Sequence, residues 1–165
     1  MTTVVVADTG PLIALAKLQR LDLLRHSFSV VHVPHTVWVE ATRDTHRPDA
    51  REISAFTAAD PAFLQVVQDQ ETPLCSMLRA YLDEGETQAI NLAKTLEAPV
   101  FMDERLGRQL ARQISVPVVG LLGVLIHARQ AGRILQLAPL LSHLQTAGYR
   151  ISAELVAAAL QRVGE

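Results

Sequence analysis

The feature that most constrains this chain is a short apolar run that ends on a carboxylate, and it occurs twice. Val4 to Ala7 leads directly into Asp8, and Val100 to Met102 leads directly into Asp103. Unbroken apolar runs of this length are typical of parallel strands that are buried on both faces of a sheet. Because only 19% of the residues are charged and 49% are hydrophobic, an acid at the end of such a strand requires an explanation.

Helical patterns alternate with the apolar runs. Further strands are predicted at Val30 to Val33, at Phe63 to Val67 (an edge strand) and at Pro117 to Val119. Helices are predicted from Pro11 to Leu18, Leu21 to Arg25, from Pro34 onwards, Thr45 to Ala59, Leu74 to Leu82, Glu84 to Leu96, directly after Asp103, Leu121 to Gln130, Pro139 to Thr146 and Ala153 to Arg162. This order predicts an α/β fold with a small parallel sheet covered by helices.

The chain of 165 residues contains no internal repeat and no linker-like segment, so we expect one domain over residues 1–165. Its single cysteine, Cys75, excludes an internal disulfide and a multi-thiolate zinc site, and favours a reducing compartment. The first apolar run is far shorter than a signal peptide core or a membrane span. We therefore expect a cytoplasmic protein that does not enter a membrane.

The charges are unevenly distributed, although the net charge of −2 gives no general reason to expect nucleic acid. Residues 1–104 hold 8 basic and 15 acidic side chains, whereas residues 105–165 hold 7 basic and 2 acidic ones. One surface could thus hold cations while its neighbour attracts phosphate. Ordinary solvated helix faces would explain the same distribution equally well.

Asp8 and Asp103 are expected at the carboxyl ends of strands, where ligands collect in open α/β sheets. A structural explanation exists for each alone, because an Asp between a strand and a helix is a favoured N-cap. In the first case Thr9 is also available to cap its helix. In the second, Glu104 adds a charge that capping does not require.

Two glutamates are equally ambiguous. Glu86 lies at helical spacing before Ala89, Ile90 and Ala93, which places it on an apolar stripe. It also fits a capping box with Asp83. Glu40 follows Val37 by three residues at the border of a similar stripe, and alone it would be interpreted as a solvated side chain.

Taken together, the four acids Asp8, Glu40, Glu86 and Asp103 are predicted to converge on one pocket at the carboxyl edge of the sheet. Several carboxylates cannot all stay ionised within a few ångströms of one another without compensation. Carboxylate oxygens and water suit Mg²⁺ or Mn²⁺, and the absence of paired Cys or His ligands argues against zinc. The sequence therefore predicts a divalent metal site.

At these residues the chain resembles the PIN-domain family of metal-dependent nucleases, which includes the ribonuclease toxins of toxin–antitoxin pairs, and more narrowly a prokaryotic branch of mostly uncharacterised function. The resemblance covers nearly the whole chain and is carried by "DTGPLIALAKLQRLDLL", "VPHTVWVEA", "LDEGETQAINLA", "FMDERLGRQLA", "VVGLLGVLIHARQAGRI" and "GYRISAELVAAAL". It implies a three-layer α/β/α fold around a small central parallel sheet. It also implies hydrolysis of RNA phosphodiesters with the help of one or two metal ions.

The resemblance assigns a role to each acid. Asp8 and Asp103 would bind metal directly, Glu86 would bind the metal or its water, and Glu40 would orient water. All four would be catalytic, and the Thr9 hydroxyl would fix Asp8 or a substrate phosphate. Many family members have Asp where this chain has Glu86, and Arg105 stands where another Asp is common. These departures keep a second hypothesis open: a non-catalytic nucleic-acid-binding or regulatory protein with a relaxed metal site.

A basic helix face is predicted directly after Asp103. Arg105, Arg108 and Arg112 recur at three and four residues, opposite an apolar stripe of Leu106, Leu110 and Ile114. This face could hold RNA phosphates beside the metal, or it could be an ordinary solvated face. The resemblance further implies a small antitoxin partner and a homodimer, for which the apolar stretches Leu12 to Leu18 and Leu121 to Ile126 would provide surplus apolar surface.

Two other interpretations have weaker support. A phosphatase or receiver domain that uses a strand-end Asp would need a second Asp two residues after Asp8, where Gly10 stands. The stretch Gly120 to Gly123 lacks the glycine spacing and the lysine of phosphate-binding loops. We expect Gly123 to allow close helix packing instead.

Overall fold

The computed structural model describes residues 3–165, and its centre is a sheet of five parallel strands. In chain order the strands are β1 (Val4–Ala7), β2 (Val30–Pro34), β3 (Leu64–Val67), β4 (Val100–Phe101) and β5 (Val118–Val119). Their spatial order is β3-β2-β1-β4-β5. The first three strands thus run outward to one edge, and the chain then returns to place β4 on the other side of β1.

Helices connect and follow the strands. They are α1 (Thr9–Lys17), α2 (Leu24–Ser27), α3 (His35–Thr42), α4 (Pro48–Ala59), α5 (Pro73–Arg79), α6 (Glu84–Leu96), α7 (Arg105–Gln113), α8 (Leu121–Gln130), α9 (Ala138–Thr146) and α10 (Ala153–Arg162). A 3₁₀ turn at Leu21–Leu23 precedes α2. No helix within residues 3–165 has both the length and the apolar composition to cross a bilayer.

The alternation of side chains along the central strands divides the core into two layers. Val5 and Ala7 point to a large cluster that includes residues of α1, α3, α8 and α9, whereas Val6 points to a smaller cluster formed with α6 and α7. This alternation is the expected period of two for a strand buried on both faces. The predicted three-layer α/β/α fold with a small parallel sheet is confirmed.

The predicted element boundaries hold closely where the periodicity is long, as in α6, α8 and α10. The largest differences are at α4, which begins at Pro48 rather than at Thr45, and at α5, which ends at Arg79 rather than at Leu82. In addition, α1 begins at Thr9 rather than at Pro11. Asp8 has extended backbone angles of φ −90° and ψ 168°, so it is the last residue before the helix begins. Pro11 then falls within the first helical turn, where its missing N–H has no intrahelical partner to lose.

The apolar stretches of α1 and α8 are buried inside the chain itself. Leu12, Leu15, Leu121 and Leu125 are each at most 1% exposed and belong to the large core cluster. These stretches therefore provide no surplus surface for a second copy. The predicted homodimer then depends on the family resemblance alone.

The strand order makes the gap between the carboxyl ends of β1 and β4 different from the other gaps in the sheet. Connections leave β1 toward β2 on one side, and β4 lies on its other side, so the chain changes direction between β1 and β4. The Asp8 N–H donates to the Phe101 carbonyl at 2.9 Å, which joins the carboxyl ends of these two strands. In open α/β sheets this switch point is where ligands bind.

Candidate active site

A cavity of about 350 Å³ opens at the switch point between β1 and β4. Its lining contains all four acids that the sequence predicted to converge, and it adds two more carboxylates. The lining residues are Asp8, Thr9, Gly10, Pro11, Glu40, Asp83, Glu86, Asp103 and Glu104. Six acids from four parts of the fold thus surround one small volume: the β1–α1 junction, α3, the start of α6 and the β4–α7 junction.

Asp8 is the most deeply buried of these acids, at 6% exposure. It occupies the N-cap position of α1, but its side chain makes no capping hydrogen bond. Burial is the main cause that raises its pKa from 3.8 to about 7; Glu86, Asp83 and Glu40 raise it further, and the Thr9 backbone opposes them. A buried carboxylate that does not cap its own helix is expected to serve a ligand.

Glu40 enters the cavity from α3 and is held by Thr9. The Thr9 hydroxyl donates to Glu40 Oε2 at 2.8 Å, so it orients this glutamate, a contact that sequence reasoning did not anticipate. Burial raises the pKa of Glu40, and the Thr9 hydrogen bond opposes that shift. Gly85 gives the carboxylate room, because a Cβ there would lie only 2.7 Å from Oε2.

Glu86 forms the capping box with Asp83 that the sequence offered as a purely structural reason for this glutamate. Its backbone N–H donates to Asp83 Oδ1 at 2.8 Å, and its Oε2 accepts from the Asp83 N–H at 3.1 Å. Both residues nevertheless line the cavity. Burial, followed by the charge of Asp83, raises the pKa of Glu86. Glu86 therefore caps α6 and at the same time places its charge near Asp8.

Asp103 receives hydrogen bonds on both oxygens. Its Oδ1 accepts from the Leu121 N–H at the start of α8 at 3.0 Å and lies 3.6 Å from Arg108 Nη1. Its Oδ2 accepts from the Tyr149 hydroxyl. Asp103 is spared from capping α7, because Glu104 accepts from Leu106 N at 3.1 Å and from Gly107 N at 2.7 Å.

Tyr149 is a residue of the site that sequence reasoning missed, as it missed the cavity acids Asp83 and Glu104. It lies 46 residues beyond Asp103 in the chain, so no local spacing links the two. The segment "GYRIS" contributed to the family resemblance, and that was its only signal. Burial, and then the neighbouring Asp103 charge, raises the pKa of the Tyr149 phenol above its ordinary value, which keeps its proton available for donation.

The three arginines of the predicted basic face do not all face solvent. Arg105 and Arg112 are exposed, but Arg108 is partly buried and donates to the Met102 carbonyl at 3.1 Å. None of the three lines the cavity. The buried side of α7 also differs from the predicted stripe, because Gly107 and Ala111 are buried while Leu106 is 37% exposed.

Gly120 provides the close approach that was expected at Gly123. A Cβ at Gly120 would meet Arg108 Nη1 at 2.5 Å and Asp103 Oδ1 at 3.1 Å, whereas a Cβ at Gly123 would meet nothing within 4 Å. The expectation of close helix packing at Gly123 is therefore wrong. The glycine at the N-cap of α8 is instead the one that leaves room for the Asp103 and Arg108 pair.

The donor set fits a hard divalent cation by its chemistry. Every titratable side chain of the lining is a carboxylate, as Mg²⁺ and Mn²⁺ prefer. Within residues 3–165, however, no three acids, histidines or cysteines are grouped closely enough to hold a metal by themselves. Mg²⁺ usually keeps several waters and needs only one or two protein carboxylates, so the cavity suits a partly hydrated ion.

Comparison with known proteins identifies the family of the chain and shows a solved structure of similar fold. The model of family DUF3368, a PIN domain, matches residues 4–165 and confirms the predicted resemblance. A solved structure, a domain of a functionally unknown protein from Methanocaldococcus jannaschii DSM 2661, is similar in fold with a TM-score of 0.50 and 15% identity. That match covers 73% of this chain and 91% of the other. No curated protein matches the chain.

The burial of Asp8 predicts a pH-dependent stability difference in Asp8→Asn. Because its folded pKa of about 7 exceeds the ordinary value of 3.8, the folded wild type binds the proton more tightly. Its stability therefore falls as pH rises between these values. Without metal, Asp8→Asn should equal or exceed the wild type in unfolding free energy at pH 8, with the difference growing by roughly 2 to 4 kcal/mol from pH 4 to pH 8.

Urea unfolding in EDTA at several pH values measures this difference. Asp22→Asn is the control, because Asp22 is an exposed residue paired with Arg20 on the surface. A difference between Asp8→Asn and wild type that stays constant with pH would show that Asp8 has no raised pKa.

Proposed function

Because the chain belongs to the PIN-domain family, we propose that it is an endoribonuclease that depends on Mg²⁺ or Mn²⁺ and acts as the toxin of a toxin–antitoxin pair. Family membership itself supports a nuclease-type function. The observation that carries the finer proposal is the buried Asp8, which caps no helix and shares its cavity with five other carboxylates. A bound divalent cation would relieve the repulsion among these carboxylates.

Asp8, Glu86 and Asp103 would hold a partly hydrated ion, directly or through its water molecules. The ion would polarise the scissile phosphodiester and lower the pKa of a water molecule. Glu40, fixed by the Thr9 hydroxyl, is suited to orient that water by accepting its proton. Because burial raises the pKa of Glu40, its ionised carboxylate is a stronger base than an ordinary glutamate. The exposed Arg105 and Arg112 would contact the RNA backbone phosphates beside the cavity, while Arg108 stays beside Asp103.

The proposal includes the partners that the resemblance implies. A toxin-type ribonuclease would act on RNA in the cytoplasm, and a small antitoxin protein would hold it inactive until release. A homodimer is proposed on the same basis. Light scattering during gel filtration gives the mass directly, and a mass of twice the 18.0 kDa chain is the result expected for the dimer.

A second candidate, a non-catalytic nucleic-acid-binding or regulatory module, is favoured by one specific observation. Five of the six cavity acids already have a structural partner: Glu40 pairs with Thr9, Asp83 with Glu86, Glu104 with the first turn of α7, and Asp103 with Leu121. A fold that had lost catalysis would keep these contacts. Such a module would bind RNA without cleaving it.

Cleavage of labelled RNA in the presence of Mn²⁺ separates the two candidates. The wild type should cleave, EDTA should abolish cleavage, and the Asp8→Asn, Asp103→Asn double variant should be slower by about 100-fold or more, because it loses two of the three ion-holding carboxylates. Asp22→Asn should cleave at the wild-type rate. Equal cleavage by the double variant would assign the activity to a contaminant, and metal-independent binding without cleavage would establish the second candidate.

A glycine pair tests whether Glu40 must stay where it is. Gly85→Ala forces the Glu40 carboxylate to move, because the new Cβ would lie 2.7 Å from Oε2. The fold should survive, because the clash is with the end of a flexible side chain and Ala is the better helix former. We expect Mn²⁺-dependent cleavage to fall about 10-fold with a melting temperature near that of the wild type.

Gly123→Ala is the matched control, since it also adds a methyl group to a helix but meets nothing within 4 Å. It should cleave RNA as the wild type does. Wild-type cleavage by Gly85→Ala would show that the observed position of Glu40 is irrelevant to the reaction.

A further inference from the structure

Tyr149 connects the C-terminal part of the chain to the cavity. It lies between α9 and α10, and its hydroxyl donates to Asp103 Oδ2 across 46 residues of sequence. Its ring is partly buried and packs against the large core cluster. The only other tyrosine, Tyr81, is 64% exposed, so the two tyrosines of the chain have very different environments.

The backbone fixes Tyr149 independently of Asp103. Gly148 has a φ of +88°, a conformation that favours glycine, and it turns the chain at the end of α9. The Tyr149 N–H then donates to the Leu144 carbonyl at 2.9 Å. Three residues later, Ser152 caps α10 by accepting from Leu155 N at 3.2 Å. The phenol is therefore delivered to the cavity by a short, doubly anchored connection.

The hydrogen bonds on Asp103 come from two separate elements. The Leu121 N–H at the start of α8 binds Oδ1, and Tyr149 binds Oδ2. Two donors on different oxygens determine the rotation of the carboxylate about its χ2 bond, and each oxygen keeps a lone pair for another ligand. Arg108 Nη1 lies 3.6 Å from Oδ1, beyond hydrogen-bond distance, and would draw the carboxylate toward itself if the Tyr149 donor were lost.

We propose that Tyr149 is a positioning residue that holds the Asp103 carboxylate in the orientation required to bind a divalent cation in the cavity. The binding of a cation by Asp103 rests on the proposed function, whereas the hydrogen bond from Tyr149 to Asp103 is observed in the structure. It assigns a task to the α9–α10 connection, which contributes no acid to the cavity. Loss of one outer hydrogen bond to a metal-binding carboxylate typically weakens metal binding 10- to 100-fold.

The test compares Tyr149→Phe with Tyr81→Phe by two measurements on the full chain. The first is the backbone amide resonance of Leu121 without metal, which reports on its bond to Asp103 Oδ1. The second is the dissociation constant for Mn²⁺ from calorimetric titration. We expect Tyr149→Phe to shift the Leu121 resonance and to raise the Mn²⁺ dissociation constant at least about 10-fold, whereas Tyr81→Phe changes neither.

A double-mutant cycle distinguishes positioning from a general loss of structure. In an Asp103→Asn background, Tyr149→Phe should add almost nothing to the loss of Mn²⁺ affinity, because the group that Tyr149 positions no longer binds the ion. An equal further loss in that background would overturn the proposal. So would an unchanged Leu121 resonance in Tyr149→Phe, or a shifted resonance with wild-type Mn²⁺ affinity.

The same data separate this inference from the proposed function. If the wild type binds no Mn²⁺, the metal-dependent mechanism is wrong. The Leu121 resonance still decides whether Tyr149 orients Asp103: a shift in Tyr149→Phe alone supports the positioning contact, and no shift refutes it. If Tyr149→Phe did not fold, the ring resonances of Tyr149 would serve: Asp103→Asn should shift them, because it changes the group that accepts from the Tyr149 hydroxyl, whereas Asp22→Asn should not. Unchanged Tyr149 resonances in Asp103→Asn would contradict the proposal.

Discussion

The burial of Asp8 is the constraint on which the rest of the site depends. A carboxylate at 6% exposure is a substantial free-energy cost in its ionised form, and its helix does not use it as a cap. The strand order creates this position, because β1 is central and the chain changes direction between β1 and β4. The α/β framework thus places a charge where water is scarce and where two strand ends and several helix starts converge.

The surrounding acids tolerate their proximity because most of them also serve the local structure. Asp83 and Glu86 close the first turn of α6, and Glu104 closes the first turn of α7. Helix N-termini carry partial positive charge, which favours acids at these positions. The same geometry aims several carboxylates at Asp8. The helix caps therefore hold negative charge around the cavity whether or not an ion is bound.

The sequence contains most of the information about the fold and part of the information about the site. The two strand-end acids, the parallel sheet and the Asp83 and Glu86 capping box follow from local patterns, because apolar runs, caps and helical periodicity act over a few residues. The contacts that orient the acids do not. Thr9 meets Glu40 across 31 residues, and Tyr149 meets Asp103 across 46. Gly85 looks like any helix residue until the structure shows the Glu40 oxygens against it.

The most direct measurement is the anomalous diffraction of Mn²⁺ in crystals grown with that ion. If Asp8 serves a divalent ion, a peak is expected inside the cavity, within coordination distance of an Asp8 oxygen and of at least one oxygen of Asp103 or Glu86. A structure in which Mn²⁺ is absent from the cavity at saturating concentration, or binds elsewhere on the surface while Asp8 has no ligand, would contradict the claim that this buried carboxylate serves a divalent ion.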